Sequence, residues 1–322
     1  MALTARENYM IAARGGKPER VPLFPFDANM FMPDFWAWRD PETGADFCNV
    51  RWVKNEAGEM PEPGWIAMED ICEWRNIVKF PKVSEMDWEG MLKKYNETRD
   101  PDKVDIAMIN TNGIFLIPIN MMGWTEGLCA LVEEPEEYEA FVSAITDFFV
   151  ELIEYVGKYF HPDIIMSGDD FAAARGPFVS LETFREMYKP YICKITEAVH
   201  KVGALEEFHC CGNCQFLTKE FFDAGVDIIQ LPEPNDELLA DKKELGSKFV
   251  MNGGWDRHGP GNVAGATEEE VRKSVRVAMD TYGKDGGLIF WDGGIIVTGE
   301  EEQRRMDWLV DEARTYGAQL YK

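Results

Sequence analysis

Short apolar runs alternate with longer amphipathic stretches through most of this chain. The runs have the length of buried strands, and the stretches have the period of about 3.6 residues that is typical of helices. The predicted strands are 21–26, 104–111, 163–168, 204–211, 226–231, 248–251 and Leu288–Trp291. The predicted helices are 4–13, 88–96, Pro135–Phe160, 181–202, 216–223, 237–245, 268–281 and 300–316. Strands that alternate with helices in this way pair in parallel through right-handed crossovers.

The lack of nucleotide-binding motifs favours a closed barrel over an open sheet. No GxGxxG or GxxxxGK[ST] element occupies a predicted strand-to-helix turn. The 322 residues are enough for one large core. We therefore predict an α/β fold of the (β/α)8 TIM barrel class. It spans residues 1–322 as a single domain, with an N-terminal aromatic-rich insertion at about residues 30–88.

The insertion departs from the alternating pattern. It is irregular and rich in Pro and aromatic residues, and alternating pieces at 49–54 and 65–68 predict a small hairpin over one mouth of the barrel. The aromatic residues could form walls of a pocket, although packing against the barrel explains them equally well. The tryptophans of the insertion are Trp36, Trp38, Trp52, Trp65 and Trp74.

Charge and cysteine content argue against several classes of protein. A net charge of -25 disfavours binding to nucleic acid and to anionic membrane surfaces. No apolar run approaches the roughly 18 residues of a membrane-spanning helix, and residues 1–20 lack the apolar segment of a signal peptide. The seven cysteines are an odd number without the spacing of a disulfide framework. We therefore expect a cytoplasmic protein.

Polar residues follow nearly every predicted strand. In a barrel of this class the chemistry lies at the carboxyl ends of the strands. A set of polar groups at these ends is harder to explain by core packing than any one member. The residues concerned are Asp27, Asn29, the stretch 110–112, Asp169, Asp170, His209, Cys211, Gln230, Glu233, the stretch 252–256, Trp291 and Asp292.

The best candidate for a metal site is the stretch 206–214, which reads Glu-Glu-Phe-His-Cys-Cys-Gly-Asn-Cys. If 204–211 is a strand, His209 and Cys211 point to the same face, because alternate side chains share a face. Imidazole nitrogen and thiolate sulfur are the usual ligands of zinc. Cys214 lies on the loop beyond and could bend back as a further ligand. The competing interpretation is that these cysteines fill a buried core.

Several charged residues near other strand ends are candidates for acid-base chemistry or substrate binding. Asp169 and Asp170 are adjacent, so that one of them can face the pocket while the other caps a loop or helix. Whichever faces the pocket would orient His209 or carry a proton. Arg175 could bind a carboxylate or form a structural ion pair. His258 could act as a spare acid or base, or lie in solvent. We also hypothesise that Asp292 completes the metal site.

Four segments carry a resemblance to a known family. They are Arg20-Val21-Pro22, the stretch from Gly168-Asp169-Asp170 through 176–180 to Pro190, His209-x-Cys211-Gly212-Asn213, and Gly293-Gly294-Ile295. From about Thr4 to Tyr316 the chain resembles the uroporphyrinogen decarboxylase superfamily. Within it, the closer resemblance is to the cobamide-dependent methyltransferases, including methyltransferase I of O-demethylase systems.

The resemblance implies a (β/α)8 barrel whose zinc is held by the His and Cys of His-x-Cys and by a later Cys before the final Gly-Ile. His209 and Cys211 match that pattern, but Gly293 stands at the later position with Asp292 beside it. A shell with a carboxylate is a stronger Lewis acid toward oxygen than a sulfur-rich shell. This argues against coenzyme M as the substrate and favours methyl ethers or methylated amines. The side chains of Phe31, Trp36, Trp38 and Trp291 would suit an aromatic ring, such as that of a methoxylated phenol.

Further partners and alternatives follow from the same resemblance. The methyl group would pass to the cob(I)alamin of a separate corrinoid carrier protein. Asp27, Asn29, Trp255 and the residues named above would line the substrate site. Decarboxylation of a porphyrinogen is disfavoured, because region 24–31 lacks the Arg-rich motif of the decarboxylases. Transfer from a methylcobamide to a folate or thiol acceptor stays open, as does a non-catalytic ligand-binding barrel.

Overall fold

The computed structural model of the chain describes residues 2–55, 58–110, 112–230, 234–293 and 297–322. The predicted strand ends at Thr111 and Leu231, the polar residue Glu233, and the Gly294-Ile295 pair of the resemblance lie outside these residues. Within the described part, no helix has the length and apolar content needed to cross a membrane. All seven cysteines are free thiols.

The fold is organised around one parallel sheet of seven strands, which curls into a barrel-like shape. The strands are β1 Ala28–Phe31, β2 Val104–Met108, β3 Ile164–Gly168, β4 Leu205–His209, β5 Ile228–Gln230, β6 Met251–Gly254 and β7 Leu288–Trp291. They lie in the order of the chain, each parallel to the next. Leu23, just before β1, pairs in parallel with Phe290 of β7 and links the two edges of the sheet. The predicted α/β fold of the (β/α)8 barrel type is thus confirmed.

Helices connect the strands and cover the outside of the sheet. They are α1 Ala5–Ala13, α2 Trp88–Thr98, α3 Leu116–Met122, α4 Trp124–Glu133, α5 Pro135–Phe160, α6 Lys189–Lys201, α7 Thr218–Asp223, α8 Asp236–Leu245, α9 Glu268–Tyr282 and α10 Glu300–Gly317. Short helices also occur at Trp74–Ile77 and Leu181–Thr183. Local signals explain several starts: Thr4 and Thr267 form capping boxes, and Pro135 occupies the first turn of α5.

Side chains that point into the barrel form two unlike layers. The amino-terminal half is apolar, and α1 packs against it through Tyr9, Ala12 and Ala13. The apolar strand residues of this layer are Val104, Ile106, Ile164, Met166, Ile228, Val250 and Ile289. Toward the carboxyl ends the interior becomes polar, with Glu207, Gln230 and Asn252 all buried. The two halves of the interior therefore serve different purposes.

The structure corrects the predicted start of the sheet. Residues 21–26 do not end in a strand that delivers Asp27 and Asn29 to the mouth, because β1 begins after Asp27. Asp27 accepts hydrogen bonds from Arg20 Nη1 at 2.7 Å and from the Leu23 N–H at 3.0 Å, which fixes a turn. Asn29 pairs in register with Asp105, next to the first residue of β2. Both side chains lie at the amino-terminal ends of the strands.

Other elements also differ from the prediction. The helices α3 and α4 and a short hairpin of Ala172–Ala173 with Gly176–Pro177 were not predicted. The hairpin of the insertion pairs Trp52–Asn55 with Gly58–Pro61, so its second strand is not at 65–68. The strands of both hairpins are only two to four residues long, which is too short for hydrophobic periodicity to reveal.

Candidate metal centre

The candidate centre lies at the carboxyl edge of the sheet, where β3 and β4 end side by side. Gly168, the last residue of β3, pairs with His209, the last residue of β4. Asp170 follows β3 by two residues, and Cys211 follows β4 by two residues. A Cβ atom on Gly168 would lie 3.0 Å from the Cβ atom of His209, so glycine lets the two strand ends approach without displacing His209.

Asp170, His209 and Cys211 form a compact group of three metal-binding side chains. One ligand atom from each lies within 4.8 Å of the others. His209 Nε2 is 3.2 Å from Cys211 Sγ and 4.0 Å from Asp170 Oδ1. With zinc bond lengths of about 2.0–2.3 Å, tetrahedral ligands stand roughly 3.5 Å apart. The three side chains therefore fit a zinc ion, and all three are only partly buried, which leaves access for a fourth ligand.

Hydrogen bonds to the imidazole select the nitrogen that faces this group. His209 Nδ1 lies 2.8 Å from Gln230 Oε1. The amide of Gln230 in turn donates to Glu207, which also accepts from Asn252 Nδ2 at 2.8 Å. An amide oxygen beside Nδ1 favours the tautomer that is protonated on that nitrogen, in which Nε2 is free to bind a metal.

The surroundings of the Cys211 thiol disfavour its ionisation unless a cation is bound. Burial is the main cause that raises its pKa to about 12; the neighbouring Asp170 also raises the pKa, and the charge of Arg257 partly opposes both. A thiol with that pKa is protonated at neutral pH, and a bound cation is what stabilises its thiolate. The backbone N–H of Cys211 also donates to Asp170 Oδ1 at 2.7 Å, which ties the two side chains together.

Gly212 allows the loop that carries Cys211 to pass under the hairpin after β3. Its φ is +77°, and a Cβ atom there would lie 2.4 Å from the Ala172 carbonyl oxygen. The Asn213 N–H donates to the Ala173 carbonyl at 3.0 Å. The hairpin and the His-x-Cys-Gly segment are thus built as one unit.

Two residues predicted as possible further ligands do not belong to the group of three. Cys214 is buried and donates from Sγ to the Cys210 carbonyl oxygen. Asp292 is buried after β7 and borders a cavity of about 10 Å³ with Phe24 and Leu309. Asp170, predicted as an acid or orienting group, stands where Asp292 was expected. The candidate carboxylate ligand comes from the loop after β3, the strand next to β4. Asp292 directly follows Trp291, which faces His209, so the side chain of Asp292 turns to the other side of the sheet, toward Leu309 of α10.

Asp169, predicted as catalytic, is buried and caps the start of α3. Its two carboxylate oxygens accept from the N–H groups of Phe115 at 2.6 Å and Leu116 at 3.0 Å. Burial raises its pKa to about 8, although these backbone donors lower it. Of the two adjacent aspartates, Asp169 is therefore the helix cap and Asp170 faces the centre.

Of the predicted substrate residues, Trp291 lies beside the centre. Its ring centroid is 6.3 Å from that of His209. Trp36 donates from Nε1 to the Ile109 carbonyl oxygen at 2.7 Å, just beyond β2. It lines a cavity of about 260 Å³ that also reaches Arg39, Trp52 and Asn112.

The remaining predicted residues have other surroundings in the structure. Phe31 is buried and stacks on Phe160 at 3.7 Å. Trp255 is buried and donates to Ser274 Oγ at 2.8 Å. Arg175 is exposed in the turn of the hairpin, and His258 is exposed on the loop after β6. Asp27 and Asn29 lie at the opposite ends of the strands, as described above.

Sequence reasoning gave no role to Glu207, and noted Gln230 and Asn252 only as polar residues at strand ends. The alternation of β4 contained the signal, because Leu205, Glu207 and His209 share one face of a strand. A carboxylate two residues before a candidate ligand lies on the same inward face, where it can orient the groups that hydrogen-bond to that ligand.

The fold and the centre together define a barrel protein with a candidate metal site at the carboxyl ends of its strands. The family described as Uroporphyrinogen decarboxylase (URO-D) matches residues 67–316, well over half of the chain. The chain therefore belongs to the uroporphyrinogen decarboxylase family.

Comparison with solved structures agrees with this fold. A methyltransferase from Methanosarcina mazei is similar over 98% of this chain and 99% of its own, at 13% identity and a TM-score of 0.65. A D-psicose 3-epimerase matches 78% of this chain and 83% of its own, at 11% identity and a TM-score of 0.37. A β-L-arabinopyranosidase from Geobacillus stearothermophilus matches 97% and 72%, at 12% identity and a TM-score of 0.39. The last two TM-scores are too low to establish a shared fold. No curated protein matches the sequence.

Proposed function

We propose that this protein is a zinc-dependent methyltransferase of a corrinoid system. It would transfer a methyl group from a small methylated substrate to the cob(I)alamin of a separate corrinoid carrier protein. The observation that carries this proposal is the group of Asp170, His209 and Cys211 at the carboxyl edge of the barrel. The similarity to the methyltransferase from Methanosarcina mazei along almost the whole of both chains supports it.

Asp170, His209 and Cys211 would hold the zinc ion. When bound, zinc supplies a Lewis acid for the atom from which the methyl group departs. A set of one nitrogen, one sulfur and one oxygen ligand resembles catalytic sites, which keep a position open, more than closed four-ligand structural sites.

The oxygen ligand bears on the choice of substrate. A carboxylate makes the shell harder than a shell of two cysteines, which favours an oxygen leaving group over a sulfur one. The sequence pointed to Asp292 for this role, and the geometry supports Asp170 instead. An aromatic methyl ether remains the best class of substrate, because its methyl group leaves from a phenolic oxygen.

Two neighbouring side chains suit such a substrate. The indole of Trp291, 6.3 Å from the His209 ring, offers an apolar wall for an aromatic ring. Arg257 lies close enough to Cys211 to lower the pKa of that thiol. A positive charge at this edge would stabilise negative charge that develops on a departing oxygen.

The test is to incubate the zinc-loaded protein with reduced corrinoid carrier and a panel of methoxyaromatics, methylamines and betaines. We expect the methyl-cobalt absorption spectrum to appear with a methoxyaromatic. His209→Ala and Cys211→Ala should abolish both zinc content and transfer, whereas Cys214→Ala should keep both.

Three results would contradict the proposal. Transfer that proceeds only from free methylcobalamin to a folate or thiol would reverse its direction. If the native protein holds about one zinc per chain and His209→Ala retains it, the zinc is bound elsewhere and not at the candidate centre. Full activity without zinc would remove the role of the metal.

A further inference from the structure

Directly below the candidate centre, the barrel interior contains a connected set of buried polar side chains. Glu207 Oε1 accepts one hydrogen bond from Asn252 Nδ2 at 2.8 Å and another from Gln230 Nε2. Gln230 Oε1 faces His209 Nδ1 at 2.8 Å. Glu207 and Asn252 are fully buried, and Gln230 is nearly so.

This arrangement is costly for stability. Corresponding inward positions in the amino-terminal half hold Ile and Val, as Ile228, Val250 and Ile289 show. Glu207 Oε2 and Asn252 Oδ1 have no hydrogen-bond partner within the described residues. Polar groups buried with incomplete hydrogen bonding destabilise a fold relative to apolar packing. The polar layer therefore needs an explanation other than stability.

The direction of the hydrogen bonds provides that explanation. Two amide N–H groups converge on one oxygen of Glu207, so this oxygen acts as acceptor to both. The Gln230 amide must then turn its NH2 group toward Glu207 and its oxygen toward His209. Reversing the amide would place two oxygens against each other and an N–H group against Nδ1.

We propose that Glu207 and Asn252 position the Gln230 amide, and that Gln230 in turn holds His209 in the tautomer protonated on Nδ1. The ring then presents an unprotonated Nε2 to Cys211 and Asp170. These are positioning residues that act through His209. The inference deepens the proposed function, because it rests on His209 being a metal ligand.

The primary test is the tautomer itself, measured in the metal-free protein by nitrogen-15 NMR of labelled histidine. The chain has four histidines, so His209→Ala assigns the signal of His209 by its loss. We expect the wild-type signal of a ring protonated on Nδ1. A wild-type ring protonated on Nε2 overturns the proposal without any further variant.

Variants then test the chain of hydrogen bonds. Gln230→Leu removes the acceptor, and Glu207→Leu releases the Gln230 amide. Each should shift the His209 signal toward a tautomer mixture and weaken cobalt(II) binding, titrated by the thiolate-to-cobalt absorption, by roughly 10–100-fold. Glu207→Gln retains an acceptor oxygen and should restore most of the affinity. An unchanged tautomer and affinity in folded Gln230→Leu contradict the inference.

Glu206 offers a matched control on the same strand. It is a fully buried carboxylate that points to the opposite face, toward Ser167, and its loss leaves the Gln230 amide in place. Glu206→Leu should leave the His209 tautomer unchanged, and equal effects of Glu206→Leu and Glu207→Leu would contradict a specific role. Because the NMR measurement uses neither metal nor methyl substrate, its failure is distinguishable from a failure of methyl transfer.

Discussion

The two halves of the barrel interior differ sharply in composition, although the same strands build both. The amino-terminal half is closed by aliphatic side chains such as Ile106, Ile164 and Val250. The carboxyl-terminal half contains Glu207 and Gln230, and above them the centre at His209. One half has the composition of a stable core and the other that of a site, so substitutions in the two halves should have separable consequences.

The largest expected effect is on metal binding in the carboxyl-terminal half. Cys211→Ala removes one of three ligands and should lower zinc affinity by roughly 100-fold or more, since even partners of ligands account for 10–100-fold. Competition with a zinc chelator measures this. Cys214→Ala is the control with the same atoms removed from a buried cysteine nearby, and equal losses in both variants would remove Cys211 from the centre.

The matching substitution in the amino-terminal half should act on stability alone. Ile164→Ala leaves a cavity in a fully buried layer and should lower the free energy of unfolding by about 2–5 kcal/mol. Urea denaturation measures the loss. Zinc affinity of the folded variant should equal that of the wild type, and a large drop in affinity would show that the two halves are coupled.

The adjacent aspartates test the same division within two residues. Both oxygens of Asp169 accept backbone N–H groups at the start of α3, so Asp169→Asn should cost about 1–3 kcal/mol of stability. Asp170→Asn should instead weaken zinc binding with a smaller change in stability. Thermal unfolding and zinc titration of both variants check this. A loss of zinc affinity in Asp169→Asn and a loss of stability in Asp170→Asn would contradict the assignment.

The last predicted effect is a pH dependence of metal affinity. Because burial raises the pKa of Cys211 to about 12, its thiol is protonated in the metal-free protein at neutral pH. Binding as thiolate releases that proton, so affinity should rise about tenfold per pH unit between about pH 7 and about pH 9. Cobalt(II) titrations across this range measure the slope. The slope should persist in Cys214→Ala, and a flat profile would show that Cys211 does not bind as thiolate.

Much of the fold was predictable because short stretches of sequence determine the type and length of each helix and strand. The period and length of Pro135–Phe160 gave that helix at its observed bounds, and Leu288–Trp291 was found in the same way. The pair of His209 and Cys211 was recognisable from its spacing, although β4 ends at His209 and Cys211 lies two residues beyond the strand. Strand β6 was predicted three residues too early, because Gly253 and Gly254 lack the side chains that reveal a strand.

The rest depended on which elements become neighbours. The sequence alone determined the α/β rhythm, the fold class and two members of the centre, since each follows from spacing within one element. Only the tertiary structure decided that Asp170 and not Asp292 joins them, that Asp169 caps a helix, and that Gln230 meets His209. Those contacts join residues on different strands, and the order and register of the strands around the barrel set their distances.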